Sequence, residues 1–187
     1  MERIFLAIDI PDKLKEQINN FNEELKKLEI NANFVEKENL HINLKFFGDT
    51  EKEQKEKIIE KIKEVSENFN SFQLNAKDIG VFPSMNHIKV VWVGVEDKKE
   101  NLSNLQKELE NEFEKIGIKK ENRKFIPHIT LCRIKTGKNI EKIIKTIKEN
   151  KDKEFGTFEV ENISLIKSEL SPNGPKYTIE KIFELRK

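Results

Sequence analysis

Two short segments of this 187-residue chain echo each other: His41-Ile42-Asn43-Leu44 and His128-Ile129-Thr130-Leu131, which stand 87 positions apart, from 41 to 128. The periods of the surrounding apolar residues repeat in the same order. Ile4 to Asp9 reads as a buried strand closed by Pro11, after which Leu14, Ile18, Phe21, Leu25 and Leu28 fall on one helix face. Leu40 to Phe47 alternates, with Leu40, Ile42, Leu44 and Phe46 expected on one side. Ile58, Ile59, Ile62, Val65 and Phe69 mark a second helix, which Thr50 and Glu53 open as a capping box. Strands follow from Phe72 to Ile79 and, past Pro83, from Ile88 to Val95.

After Val95 the order begins again. Leu102, Leu105, Leu109, Phe113 and Ile116 make a helix capped by Gly117, and Pro127 opens a strand from His128 to Ile134. Ile140, Ile143, Ile144 and Ile147 mark a fourth helix. Strands near Thr157 to Ile166 and Tyr177 to Leu185 are joined by a turn through Pro172, Asn173, Gly174 and Pro175. Each half reads strand, helix, strand, helix, strand, with one extra strand at the end. This predicts an α+β fold of two pseudo-symmetric lobes, each an antiparallel-type sheet covered by helices, with a cleft between them. The expected organisation is a single bilobal domain over 1–187, duplicated internally with approximate halves 1–86 and 87–187.

Composition removes several alternatives. Lysines and arginines number 35 against 34 acidic residues, so the charge of +1 gives no general attraction for nucleic acid and any basic site must be local. The apolar runs are too short to span a bilayer, and Met1-Glu2-Arg3 leads into a strand without a signal-peptide pattern. With one cysteine, Cys132, there is no internal disulfide framework. The expectation is a cytoplasmic monomer with no membrane partner.

The paired segments carry the candidate chemistry. Side chains alternate on a strand, so His41 shares a face with Asn43, and His128 with Thr130, each pair about 6.5–7 Å apart. If the two strands face each other, two imidazoles and two small hydrogen-bonding groups converge. Such a site suits in-line displacement at phosphorus. One neutral imidazole takes a proton from the attacking oxygen, and the other, protonated, gives one to the leaving oxygen. Asn43 and Thr130 would donate to the non-bridging oxygens. No metal or other cofactor is needed; the competing reading is two ordinary strand histidines. His87 has no counterpart and reads as surface decoration, and Cys132 as a small buried side chain. Lys45 shares the face of His41 under strict alternation and reads as a solvated rim charge. Phe34 reads as core, while Tyr177 is open between core packing and stacking on a base.

Together, Glu38 to Gly48 and Pro127 to Arg133 resemble the paired His-x-Thr/Ser-x motifs of the two-histidine phosphoesterases. With Arg3 to Ala7, the Val81 to Ser84 turn and the Val90 to Val93 strand, the chain is similar more closely to the RNA 2',3'-cyclic phosphodiesterases, also called 2'-5' RNA ligases. The resemblance implies hydrolysis of RNA 2',3'-cyclic phosphate ends to 2'-phosphomonoesters, with 2'-5' joining in reverse. It implies RNA partners with such ends, tRNA fragments included. It also implies His41 as proton donor and His128 as acceptor, although nothing in the sequence itself distinguishes them. Arg133 resembles a phosphate-contacting arginine of the family. Strict alternation sends it to the face opposite His128, so it needs a bulge, a strand end or a long reach, and a surface salt bridge competes. The family pattern has Thr or Ser where this chain has Asn43, whose amide still donates but is larger and lacks a rotatable hydroxyl. The alternative functions are a phosphodiesterase for small cyclic nucleotides and a non-catalytic RNA-end or nucleotide-binding module.

Overall fold

The computed structural model describes residues 1–172 and 174–187. Asn173, and with it the expected Pro172–Pro175 turn, lies partly outside the described residues. The strands are β1 (Glu2–Asp9), β2 (Ala32–Phe34), β3 (His41–Thr50), β4 (Phe72–Ser84), β5 (His87–Glu96), β6 (His128–Ile134), β7 (Glu154–Val160), β8 (Asn162–Ser171) and β9 (Gly174–Glu184). The helices are α1 (Asp12–Lys26), α2 (Lys52–Ser66), α3 (Asn101–Lys115) and α4 (Ile140–Glu149), with a 3-10 turn over Lys37–Asn39.

The strands form one curled antiparallel sheet in the order β7-β4-β5-β6-β3-β1-β8-β9, with β2 added alongside β6. The order is symmetric about its centre: β3, β1, β8 and β9 run outward on one side as β6, β5, β4 and β7 do on the other. Within the strand order the two sides meet through β3 and β6, at the pair Ile42↔Ile129, and outside the named strands the Asn70↔Arg186 bridge joins them again. Two lobes therefore flank a narrow waist, and the waist is built from the two echoed segments.

The helices are exchanged between the lobes. Helix α1 leaves β1 and packs on β7 of the other lobe, where the Phe21 and Phe155 rings lie 5.8 Å apart, edge to face. Helix α3 leaves β5 and packs against α2 and β3 instead, with Phe113 edge-on to Phe47 at 5.0 Å. The apolar stripes expected on these helices, from Leu14 to Leu25 and from Leu102 to Phe113, are buried in one continuous core under the sheet. A second, small cluster of Phe5, Ala7 and Ile166, with Tyr177 against it, lies apart from that core.

Three local expectations differ. No capping box opens α2: Glu51 is the N-cap without a side-chain bond, and the Thr50 hydroxyl donates to the Gly48 carbonyl in its own strand. The strand expected from Thr157 to Ile166 is two strands, because the chain crosses between lobes at Glu161; β7 pairs with β4 and β8 with β1. Strand β2 has no counterpart in the sequence reading, being three residues long and held by β6.

Candidate active site

His41 begins β3 and His128 begins β6. At the waist, the Ile42↔Ile129 pairing leaves His41 beside Thr130 and Asn43 beside His128 on one face, while both isoleucines go fully into the core. The four expected groups thus come together around one crossing point.

The two histidines are held alike. His41 Nδ1 donates to the carbonyl of Asn39 at 2.7 Å, and His128 Nδ1 to that of Ile126 at 2.7 Å. A carbonyl only accepts, so the proton sits on Nδ1 and each neutral ring keeps an unprotonated Nε2. Each ring also has an aromatic collar. Phe5 and Tyr177 lie 5.0 and 5.7 Å from His41, and Phe82 and Trp92 lie 5.0 and 6.0 Å from His128. Burial pushes both imidazoles below the usual value of 6.5, opposed by the carbonyl each one bonds. Their charged neighbours differ: the Asp9 carboxylate favours protonated His41, and the Arg133 cation disfavours protonated His128.

Bulges decide what else reaches this face. In β6 the register slips between the Val91↔Cys132 and Trp92↔Thr130 pairs, leaving Leu131 as the extra residue. Leu131 and Cys132 are consequently both buried, and Arg133 returns to the face of His128 and Thr130. The Leu131 carbonyl accepts from Val35 N at 2.8 Å and from Nδ2 of the fully buried Asn22 on α1 at 3.3 Å. Strand β3 has the matching slip, between Leu6↔Lys45 and Ala7↔Asn43. It overturns two expectations. Phe46 is not core but 50% exposed, with the Arg3 guanidinium 5.0 Å over its ring. Lys45 is not a rim charge but is buried away from His41, paired with Glu110 of α3 at 2.8 Å and donating to the Lys119 carbonyl at 2.9 Å.

No motif singled out Arg3. Burial pushes the Tyr177 phenol up, and the Arg133 and Arg3 cations oppose it. Cys132 is buried with its thiol pushed up to about 12, and so is no nucleophile. His87 is exposed in the β4–β5 hairpin, and Phe34 packs against the core as expected. Among the described residues no group of three or more His, Cys, Asp or Glu could hold a metal ion, and no helix is long and apolar enough to cross a membrane.

The comparisons define the class as a phosphoesterase. Residues 10–172 match the 2'-5' RNA ligase superfamily. An RNA 2',3'-cyclic phosphodiesterase of Methanocaldococcus jannaschii is 40% identical over 179 residues, covering 96% of this chain and 98% of the relative. One from Methanothermobacter thermautotrophicus is 38% identical over 183 residues, 98% of each. A crystal structure of a Thermus thermophilus protein shares the fold, with a TM-score of 0.84 over 98% of both chains at 24% identity. The chain belongs to the 2'-5' RNA ligase superfamily, within its family of RNA 2',3'-cyclic phosphodiesterases.

Proposed function

We propose that this protein opens the 2',3'-cyclic phosphate at the end of an RNA, leaving a 2'-phosphomonoester, by metal-independent acid–base catalysis. The observation that carries the reading is the matched pair of imidazoles, each fixed through Nδ1 and each with Nε2 free, on one face of the waist. His128 Nε2 takes a proton from water as the water oxygen bonds to phosphorus. The P–O3' bond breaks, and His41 Nε2 gives its proton to O3'. The direction is supported by Arg133, which favours neutral His128; at His41 the Asp9 carboxylate favours the protonated ring, opposed by Lys15, with which Asp9 pairs at 2.7 Å. Asn43 and Thr130, whose side chains have no hydrogen-bond partner among the described residues, donate to the non-bridging oxygens. Arg133 grips the same phosphate, bidentately where its fork permits. Run in the same direction with the 5'-hydroxyl of a second RNA in place of water, the arrangement forms a P–O5' bond as P–O3' breaks and so makes a 2'-5' linkage; the reverse of that step cleaves such a linkage and closes the ring again. The 87-residue offset relating His41 to His128, Asn43 to Thr130 and Phe5 to Trp92 supports our reading of halves 1–86 and 87–187 as copies of one unit.

The test is incubation with EDTA and a short RNA ending in a 2',3'-cyclic phosphate. The product is identified by mass and by resistance to a 3'-specific phosphatase. A 2'-phosphate is expected, with His41→Ala and His128→Ala each lowering kcat on the order of 10²–10⁴-fold in folded protein. Loss of wild-type activity on chelation would exclude the metal-free mechanism, and binding without turnover would make the cleft a recognition site.

A further inference from the structure

The catalytic reading leaves unused the irregular segment that runs into His128. Residues 118–127, between α3 and β6, carry no helix or strand. Within them Lys119, Lys120, Arg123 and Lys124 set four cations in six positions against one carboxylate, Glu121, in a chain whose overall charge is +1. Lys120 pairs with Glu114 at 2.8 Å. Lys119, Arg123 and Lys124 are exposed and have no ion pair among the described residues.

The backbone under these cations is nonetheless held. Lys45 Nζ donates to the Lys119 carbonyl at 2.9 Å, and the Glu121 amide donates to Glu110 Oε2 at 3.1 Å, so a buried ion pair fixes one end. At the other end the Ile126 carbonyl accepts from His128 Nδ1, and the Pro127 carbonyl from Val95 N at 3.2 Å. Loops positioned by a rigid scaffold disproportionately carry binding residues, and a pinned backbone loses little further freedom when a ligand docks. Lys124 stands four positions before His128, at most about 14 Å of extended chain, so its charge lies within a few nucleotides' reach of a phosphate at His128.

We propose that residues 119–124 form a docking surface for the RNA backbone upstream of the cyclic end, with Lys119, Arg123 and Lys124 taking its phosphodiesters. The proposal rests on the reading of the waist as an RNA-end phosphodiesterase and extends it. The contact is sequence-independent, because point charges on phosphates carry no base information. It also separates an RNA end from a lone cyclic nucleotide, since only the former has phosphates to place there.

The test compares wild type with Arg123→Glu/Lys124→Glu on two substrates: a cyclic-ended oligoribonucleotide longer than the span from His128 to Lys124, and a 2',3'-cyclic mononucleotide. For the oligonucleotide, KM is expected to rise about tenfold or more at low salt. The slope of log kcat/KM against log salt should flatten by roughly 1.4, for two contacts at about 0.7 each. Mononucleotide kinetics should stay within about twofold, which also reports that the variant is folded. An unchanged oligonucleotide KM and salt slope, with both substrates turned over, would overturn the surface and leave the activity standing. If wild type turns over neither substrate, the activity reading fails instead. Fluorescence anisotropy with an RNA ending in a 2'-phosphate then decides the surface, weaker binding by the variant supporting it and equal binding overturning it.

Discussion

Desolvation lowers the pKa of two single residues of this cleft. His41 and His128 sit inside aromatic collars, and burial lowers both below the usual 6.5. The kcat/KM of the free enzyme rises as the base loses its proton and falls as the acid loses its own. With both transitions below 6.5, the maximum of kcat/KM on a cyclic-ended RNA is expected below pH 6.5. A pH–rate series checks this, and a maximum on the alkaline side of 6.5 would contradict it. The collar of His128 depends in turn on Gly80. A Cβ there would stand 2.1 Å from the Trp92 ring, too close for the indole to stay. Gly80→Ala is expected to displace Trp92 from His128, lowering kcat on the order of tenfold for about 1–3 kcal/mol of stability, as measured by steady-state kinetics alongside thermal melting. The histidines and their Asn43 and Thr130 companions were legible in the sequence because alternation over three residues is robust. Strict alternation misplaced Arg133 and Lys45, since each lies beyond a bulge and one extra residue reverses every face that follows; Arg133 was a candidate only through the family resemblance, with a bulge as one of the routes by which it could reach the site.

Between elements, the two bulges share a design. Each is backed by a buried polar side chain from a helix of the opposite half, Asn22 of α1 behind β6 and Glu110 of α3 behind β3. Glu110 stands within one residue of the position 87 beyond Asn22. The Lys45–Glu110 pair is 6% and 9% exposed, and its oxygens and ammonium have further partners in Gln106, Lys119 and Glu121. Removing one charge strands the other in the core, so Lys45→Met is expected to cost about 3–5 kcal/mol in urea unfolding. Lys45→Met/Glu110→Leu should recover most of that loss, and failure to recover would mean that the surrounding hydrogen bonds carry the stability instead. None of this was visible beforehand, as a lysine in a strand reads as exposed until its register is known. The amphipathic helices were legible throughout, because four or five apolar residues at helical spacing outvote local ambiguity. The break at Glu161 was not, since no Gly or Pro marks it and buried apolar residues continue on both sides of it, from Phe158 and Val160 to Ile163 and Leu165.

At the scale of the whole molecule, the symmetric sheet order and the exchanged helices make the lobes interdependent. Residues 1–86 contain β4 without either of its partners, β5 and β7, and α1 without the β7 surface it covers. The isolated segment 1–86 is therefore expected to lack a cooperative unfolding transition by circular dichroism, although it holds a complete strand–helix–strand–helix–strand set. Two lobes and a cleft could be read from the duplicated periods. The joining of both sheets at Ile42↔Ile129 could not, because a single pair between distant strands leaves no periodic trace.

The placement of β1 has a consequence for synthesis. One side of it meets β3 within the first 50 residues, but the other waits for β8, through pairs such as Phe5↔Ile166 and Ala7↔Ser164. On the ribosome, then, a strand with five consecutive buried residues, Ile4 to Ile8, keeps an open row of backbone donors and acceptors until β8, Asn162–Ser171, has emerged. Its sister edge strands in neighbouring nascent chains offer the same pattern, so correct folding is a race between the tail of one polypeptide and the head of the next.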